Sequence, residues 1–321
     1  MKKIAVLADY LEPSHHALID STAARCGFAV DYYPDGRVPA ELAGTYEVVH
    51  GMPKPGDLKA FTGMKWFCGS FAGVDAYLDD ALYPSPEVML SNSSGTYGVT
   101  IAEHLIMVTL MLLRHAPAYL HHADAHRWGP VMPMRSIIGS TITVLGTGDI
   151  GTEFARRAKA MGAKAIRGVR RTKKAADPAF DGVFTHEELD SLLPDTDILV
   201  MALPSTADTV GILSRDRIAL LPETAYVINV GRGTAIDQPA LVEALNAGKL
   251  AGAALDVFEK EPIPAGDPVW DAKNLLITPH ISGQMSLGYT RDKNVALFCE
   301  DLENYAAGRP LKRYVDRKIG Y

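Results

Sequence analysis

Cysteine is scarce in this chain. Three residues in 321, Cys26, Cys68 and Cys299, are an odd number, widely spaced, with no CxxC pair. That pattern argues against a disulfide framework and against a metal site, and reads as reduced thiols in a cytoplasmic protein. Long apolar runs are missing as well. A membrane span needs about 20 apolar residues, whereas the stretch Ile101–Leu113 is shorter and carries Glu103 and His104. After Met-Lys-Lys, the run Ile-Ala-Val-Leu-Ala is cut off by Asp9, Glu12 and His15-His16, so it reads as a first strand and not a signal peptide. There is no excess of positive charge: the formal balance of −6 speaks against nucleic acid or an acidic membrane as partners. Short-period repeats and low-complexity linkers are also absent. What remains is an ordinary globular composition, 47% hydrophobic and 22% charged, in a chain long enough for two domains.

The pattern is α/β from the start. Strand-like runs at Ile4–Ala8, Phe28–Tyr32, Glu47–His50, Trp66–Cys68 and Val88–Leu90 alternate with helical stretches such as Pro13–Arg25. Two helices follow, Thr100–Arg114 and Pro117–Arg127, with Pro117 at the joint. A second α/β series occupies Thr141–Leu145, Lys164–Val169, Asp197–Ala202, Ala225–Val230, Leu250–Asp256 and Leu275–Thr278, and a long helix over Ser286–Ala307 closes it.

At the head of that second series, Thr141–Leu145 runs into Gly146-Thr147-Gly148-Asp149-Ile150-Gly151 and then an amphipathic helix. A GxGxxG match alone is weak evidence, since a chance match is plausible in a chain with 28 glycines. Strand before and helix after make it a dinucleotide-binding fingerprint. Gly146 permits the tight turn, Gly148 lets backbone approach a pyrophosphate, and Gly151 lets helix pack on strand. The helix start offers N–H groups to the phosphates. Because a whole α/β unit precedes this loop, the arrangement predicted is a doubly wound nucleotide domain, residues 99–285, inserted into a smaller flavodoxin-like domain, residues 1–98 and 286–321. Ligand is expected in the cleft between them.

In NAD-preferring folds an Asp or Glu about 20 residues past the glycines takes the ribose hydroxyls. Here the second strand ends in Arg170-Arg171-Thr172-Lys173-Lys174. Guanidinium groups at that place suit a 2′-phosphate, so NADP(H) is the preferred cofactor and NAD(H) the alternative. A solvated basic turn is the plainer reading of the same run.

Three later segments end strands with polar residues: Asn229-Val230-Gly231-Arg232-Gly233, Asp256-Val-Phe-Glu-Lys-Glu261-Pro262 and Thr278-Pro-His280-Ile-Ser-Gly283. Parallel strands deliver them to the sheet edge that carries the glycine loop. An Arg to hold a carboxylate, a His to protonate a developing alkoxide and a Glu to favour the imidazolium suit reduction of a 2-keto acid. Taken singly, Arg232 reads equally as a turn residue between glycines, Glu261 as part of a solvated loop with Glu259 as rival, and a lone His more often as structural. His15-His16 and His121-His122 lack ligand spacing, and His104 on an apolar helix reads as packing or a buried hydrogen bond.

These segments, in this order and over essentially the whole length, resemble the D-isomer-specific 2-hydroxyacid dehydrogenases, in the NADP-type, glyoxylate/hydroxypyruvate reductase-like branch. Ser70-Phe-Ala72-Gly73-Val-Asp75 is similar to the family's carboxylate-binding loop, and Thr100-Ile-Ala-Glu103-His to its interdomain helix. The resemblance implies Arg232, Glu261 and His280 as catalytic residues. Backbone N–H groups near Ala72 and Gly73 would hold the substrate carboxylate, together with Arg232 and His280. It further implies Asp256 at the nicotinamide amide, Leu203-Pro204 against the adenosine half, Val230, Gly231 and Gly283 along the cofactor, and a homodimer through the nucleotide domain and its long helices. Arg170 departs from the NAD-type members. The expected reaction is hydride transfer between NADP(H) and a small 2-keto or D-2-hydroxy acid, from glyoxylate and hydroxypyruvate to longer or aromatic acids. Phosphite or formate oxidation is a remoter alternative, and a dinucleotide-sensing corepressor-like protein is the alternative of another class.

Overall fold

The computed structural model describes residues 1–173 and 177–321. The chain divides into two compact units, Met1–Tyr97 with Gln284–Tyr321, and Gly98–Gly283.

The first unit holds β1 (Lys2–Leu7), α1 (Pro13–Arg25), β2 (Phe28–Tyr32), α2 (Ala40–Ala43), β3 (Val48–Gly51), β4 (Trp66–Gly69) and β5 (Met89–Ser91). The strands form one parallel sheet in the order β2-β1-β3-β4-β5, the flavodoxin-like order. Side chains alternate across a strand. Ile4 and Val6 therefore enter a core with Ile19, Trp66 and Phe298, while Ala5 and Leu7 enter one with Tyr46, Val49 and Phe67 on the other face. The C-terminal helix Gly288–Ala306 supplies Val295, Phe298 and Leu302 to the first of these.

The second unit runs α3 (Gly98–Leu113), α4 (Ala116–Asp124), β6 (Thr141–Leu145), α5 (Asp149–Ala160), β7 (Ala165–Val169), β8 (Gly182–Phe184), α6 (Leu189–Leu192), β9 (Ile198–Met201), α7 (Arg215–Leu220), β10 (Tyr226–Asn229), α8 (Gln238–Asn246), β11 (Gly252–Leu255) and β12 (Leu275–Ile277). Its seven strands are all parallel, in the order β8-β7-β6-β9-β10-β11-β12. This is the doubly wound 3-2-1-4-5-6 arrangement with one strand added at the edge, so both units have the Rossmann-like α/β fold that the sequence predicts. The C-terminal Gly288–Ala306 helix, α9, belongs to the first unit.

Several bounds differ from the sequence reading: α4 ends at Asp124, not Arg127, and α9 spans Gly288–Ala306, not Ser286–Ala307. The edge strand β8 was not expected; three residues carry too little periodicity to announce a strand. Helix α3 starts at Gly98, two residues before the expected Thr100, and the Asp149 carboxylate lies where a Cβ on residue 98 would sit, so only glycine fits there. A carboxylate is favourable at a helix start. Among the described residues no single helix is long and apolar enough to cross a membrane. The three cysteines are free.

Candidate active site

The carboxyl ends of β6, β9 and β10 lie side by side, and glycines let them come close. Gly146, at φ +102°, follows β6; a Cβ there would stand 2.6 Å from the Ala202 carbonyl oxygen. From the other side, a Cβ on Gly231 would stand 2.6 Å from the Leu203 carbonyl oxygen. The Ala202–Leu203 backbone is thus pressed between the two, with Val230 donating to the Met201 carbonyl beneath it (3.0 Å). Leu203 is buried and Pro204 exposed.

The glycine loop keeps its three expected geometries apart. A Cβ on Gly151 would overlap the Gly146 carbonyl, so only glycine lets α5 approach β6. Gly148 caps α5 without a side chain, and a Cβ there would meet no described atom within 4 Å. A bare helix start with open space over it fits a pyrophosphate. Thr147 packs its methyl group over Gly168 of β7, and Ile150 is half-buried. At the end of β7, half-buried Arg170 donates its amide to the Phe184 carbonyl (3.0 Å), and exposed Arg171 and Thr172 follow. Lys173 pairs with Glu188 at 3.3 Å. Lys174, the last of the basic run, lies outside the described residues.

Past β10, Asn229 organises the turn: its side-chain oxygen accepts from the Gly231 amide (2.9 Å), and its amide donates to the Arg232 carbonyl (2.9 Å). Arg232 donates to the Gly231 carbonyl (2.7 Å) and is half-buried. A Cβ on Gly233 would overlap the Phe258 backbone, so this segment abuts the loop that carries the carboxylates. In that loop both Glu259 and Glu261 are exposed, and Glu261, not its rival, is the one that reaches His280. One Glu261 oxygen accepts from the Phe258 amide (2.8 Å), and the other lies 2.6 Å from His280 Nδ1. Arg232 is therefore no free surface turn, and the His has its carboxylate.

His280 itself sits at φ +53°, a left-handed conformation unusual outside glycine. Asp256, only 2% exposed, holds that turn. Its carboxylate accepts from the Thr278 hydroxyl (2.6 Å) and from the amides of Ile281 (2.9 Å) and Ser282 (3.0 Å). The His280 amide donates to the Asp256 carbonyl (2.9 Å), and Gly283 is half-buried just beyond. From α3, His104 Nε2 reaches 3.4 Å from the Thr278 hydroxyl, and burial lowers the pKa of its imidazole. Sequence reasoning left Asn229 and Thr278 without a task; their only signal was a place beside Arg232 and His280. In the first unit, Ala72 and Gly73 lie in the half-buried loop after β4.

The chain is similar to known proteins over most of its length. Residues 106–282 match the family model described as D-isomer specific 2-hydroxyacid dehydrogenase, NAD binding domain. Glyoxylate/hydroxypyruvate reductase A of Klebsiella pneumoniae is 31% identical over 257 residues, 78% of this chain and 80% of that one. The chain belongs to the D-isomer-specific 2-hydroxyacid dehydrogenases. Its activity is the family's, hydride exchange between a nicotinamide dinucleotide and a small 2-keto or D-2-hydroxy acid. Two solved structures cover it end to end. The Xanthobacter autotrophicus dehydrogenase in complex with NADPH and MES has a TM-score of 0.83 at 29% identity, covering 100% of this chain and 99% of its own. The NADPH-dependent glyoxylate/hydroxypyruvate reductase of Sinorhizobium meliloti, in complex with NADP and sulfate, has a TM-score of 0.82 at 28% identity over 100% of both chains.

Proposed function

We propose that this dehydrogenase works as an NADPH-dependent reductase of small 2-keto acids, with Arg232, Glu261 and His280 as its catalytic residues. The observation that carries the reading is the 2.6 Å contact between His280 Nδ1 and Glu261 on the sheet edge that also bears the glycine loop. The bare start of α5, with Gly146 to Gly151, holds the pyrophosphate. Arg170, Arg171 and Thr172 receive the 2′-phosphate, a group that a carboxylate at position 170 would repel. The Leu203-Pro204 turn, Val230, Gly231, Asp256 and Gly283 line the rest of the cofactor. When bound, the dinucleotide supplies the hydride.

The protein's own part is to hold, orient and protonate. Arg232 pairs with the substrate carboxylate and polarises the keto oxygen, and the Ala72 and Gly73 amides hold the carboxylate further. Glu261 fixes the Nδ1 proton of His280, which leaves Nε2 to deliver a proton to the oxygen that becomes an alkoxide. Reduction therefore weakens as His280 loses its proton, and oxidation weakens as it gains one. The names of the relatives support glyoxylate and hydroxypyruvate as the first acids to try on the substrate panel.

The assembly we infer is a homodimer through the second unit, which exposes Leu120, Trp128, Met132 and Ile138 along α4 and the segment after it. Free thiols accord with a cytoplasmic setting. The deciding experiment follows NADPH oxidation over a keto-acid panel for the wild type and His280→Asn. Turnover should fall by roughly 10²–10⁴ in the variant. Near-full turnover of His280→Asn would overturn the general-acid assignment. Sedimentation of the wild type as a monomer at micromolar concentration would overturn the dimer.

A further inference from the structure

Four successive carbonyls, from the last residue of β4 onward, are all taken up by one short segment of the first unit. The Ser93 hydroxyl donates to the Gly69 carbonyl (2.9 Å), the Tyr97 hydroxyl to Ser70 (2.6 Å), the Ser93 amide to Phe71 (2.9 Å), and the Asn92 side-chain amide to Ala72 (2.7 Å). A trans peptide is planar, so each C=O and the N–H that follows it point in opposite directions. Drawing the carbonyls of Ser70, Phe71 and Ala72 towards residues 92–97 turns the N–H groups of Phe71, Ala72 and Gly73 away from that segment. Among the described residues, none accepts a hydrogen bond from these three amides. Successive backbone donors aimed one way make a concave site for an anion.

The groups that impose this orientation are themselves fixed. Asn92, Ser93 and Tyr97 are buried. The Asn92 side-chain oxygen accepts from the Ser94 amide (3.1 Å), and the Ser93 hydroxyl accepts from the Asn294 side chain (2.6 Å). The Tyr10 hydroxyl, 2.8 Å from the Asn294 oxygen and 2.7 Å from the Ser70 hydroxyl, closes the network.

We propose that Asn92 and Tyr97 are positioning residues for the substrate carboxylate: they touch no substrate, but Asn92 aims the Gly73 amide and Tyr97 the Phe71 amide of one row of donors that receives it. The inference rests on the reading that the Ala72–Gly73 loop receives that carboxylate. Loss of the Asn92 amide lets the Ala72–Gly73 peptide rotate, and loss of the Tyr97 hydroxyl does the same for Ser70–Phe71.

The test compares full-length wild type with Asn92→Ala and Tyr97→Phe, the latter removing a single oxygen atom. For each, kcat/KM is measured with glyoxylate and with its methyl ester, alongside NADPH affinity and thermal stability. In both variants KM for the acid should rise about tenfold, while the ester rate and NADPH affinity hold, so the acid-over-ester ratio falls about tenfold. A merely structural role would lower both substrates' rates together. Folded variants that keep the wild-type ratio overturn the positioning role alone. A wild type with no preference for the acid overturns the carboxylate-loop reading, and this inference with it.

Discussion

His280 Nδ1 lies 2.6 Å from Glu261 Oε2, and the other Glu261 oxygen is anchored by the Phe258 amide at 2.8 Å. The carboxylate is thus held by the backbone at one oxygen while the other meets the imidazole. Gly233 secures the loop on which this depends. Its α-carbon is backed against Phe258, and an added methyl group would overlap that backbone. Gly233→Ala should separate the Arg232 segment from the Glu261 loop and lower kcat/KM by about 100-fold, the usual cost of a misplacement near 1 Å. Steady-state kinetics with near-wild-type values would show that the contact does not set the geometry.

Asp256 is expected to act through the same turn. Its buried carboxylate accepts three hydrogen bonds from Thr278, Ile281 and Ser282 around the left-handed His280. Asp256→Asn replaces one acceptor by an amide that faces donors. Stability should fall by about 1–3 kcal/mol in urea unfolding, with kcat falling as well. An unchanged unfolding midpoint would mean that the turn holds without the carboxylate.

Cofactor choice should follow Arg170. A carboxylate at the end of β7 repels a 2′-phosphate and accepts from ribose hydroxyls. Arg170→Asp should therefore shift the NADPH-over-NADH ratio of kcat/KM towards NADH by about tenfold to a hundredfold. The ratio itself is the readout, since a general loss of activity would leave it unmoved.

The first unit has its own pH dependence. His50, fully buried and stacked on Phe298 at 4.0 Å, has its pKa lowered by burial to about 4. In an unfolded chain His titrates near 6.5. As pH falls, the unfolded state binds this proton first, so His50 should lower stability between about pH 7 and pH 4, by about 3 kcal/mol in all, and add nothing further below. Urea unfolding of His50→Gln across that range should show a flatter profile than the wild type. Parallel profiles would assign the acid sensitivity to other groups.

Much of this protein is legible along the chain. The strand, GTGDIG turn and helix are contiguous residues whose geometry depends on their immediate neighbours, and Arg170 is read from its place at the end of the next strand. Parallel strand direction alone sends Arg232, Asp256 and His280 to one edge. Tertiary structure decided the rest. The choice of Glu261 over Glu259 and its pairing with His280 span 19 residues and depend on how two loops fold back. The Ala72 carbonyl is held by Asn92 and the Ser70 carbonyl by Tyr97, and no local pattern links 72 to 92 or 70 to 97. The need for glycine at position 98 comes from the distant Asp149 carboxylate, which fills the space a Cβ would take. Periodicity and turn chemistry are short-range and are written in the sequence, whereas hydrogen-bond partners between separate loops exist only once the sheets have brought the strand ends together.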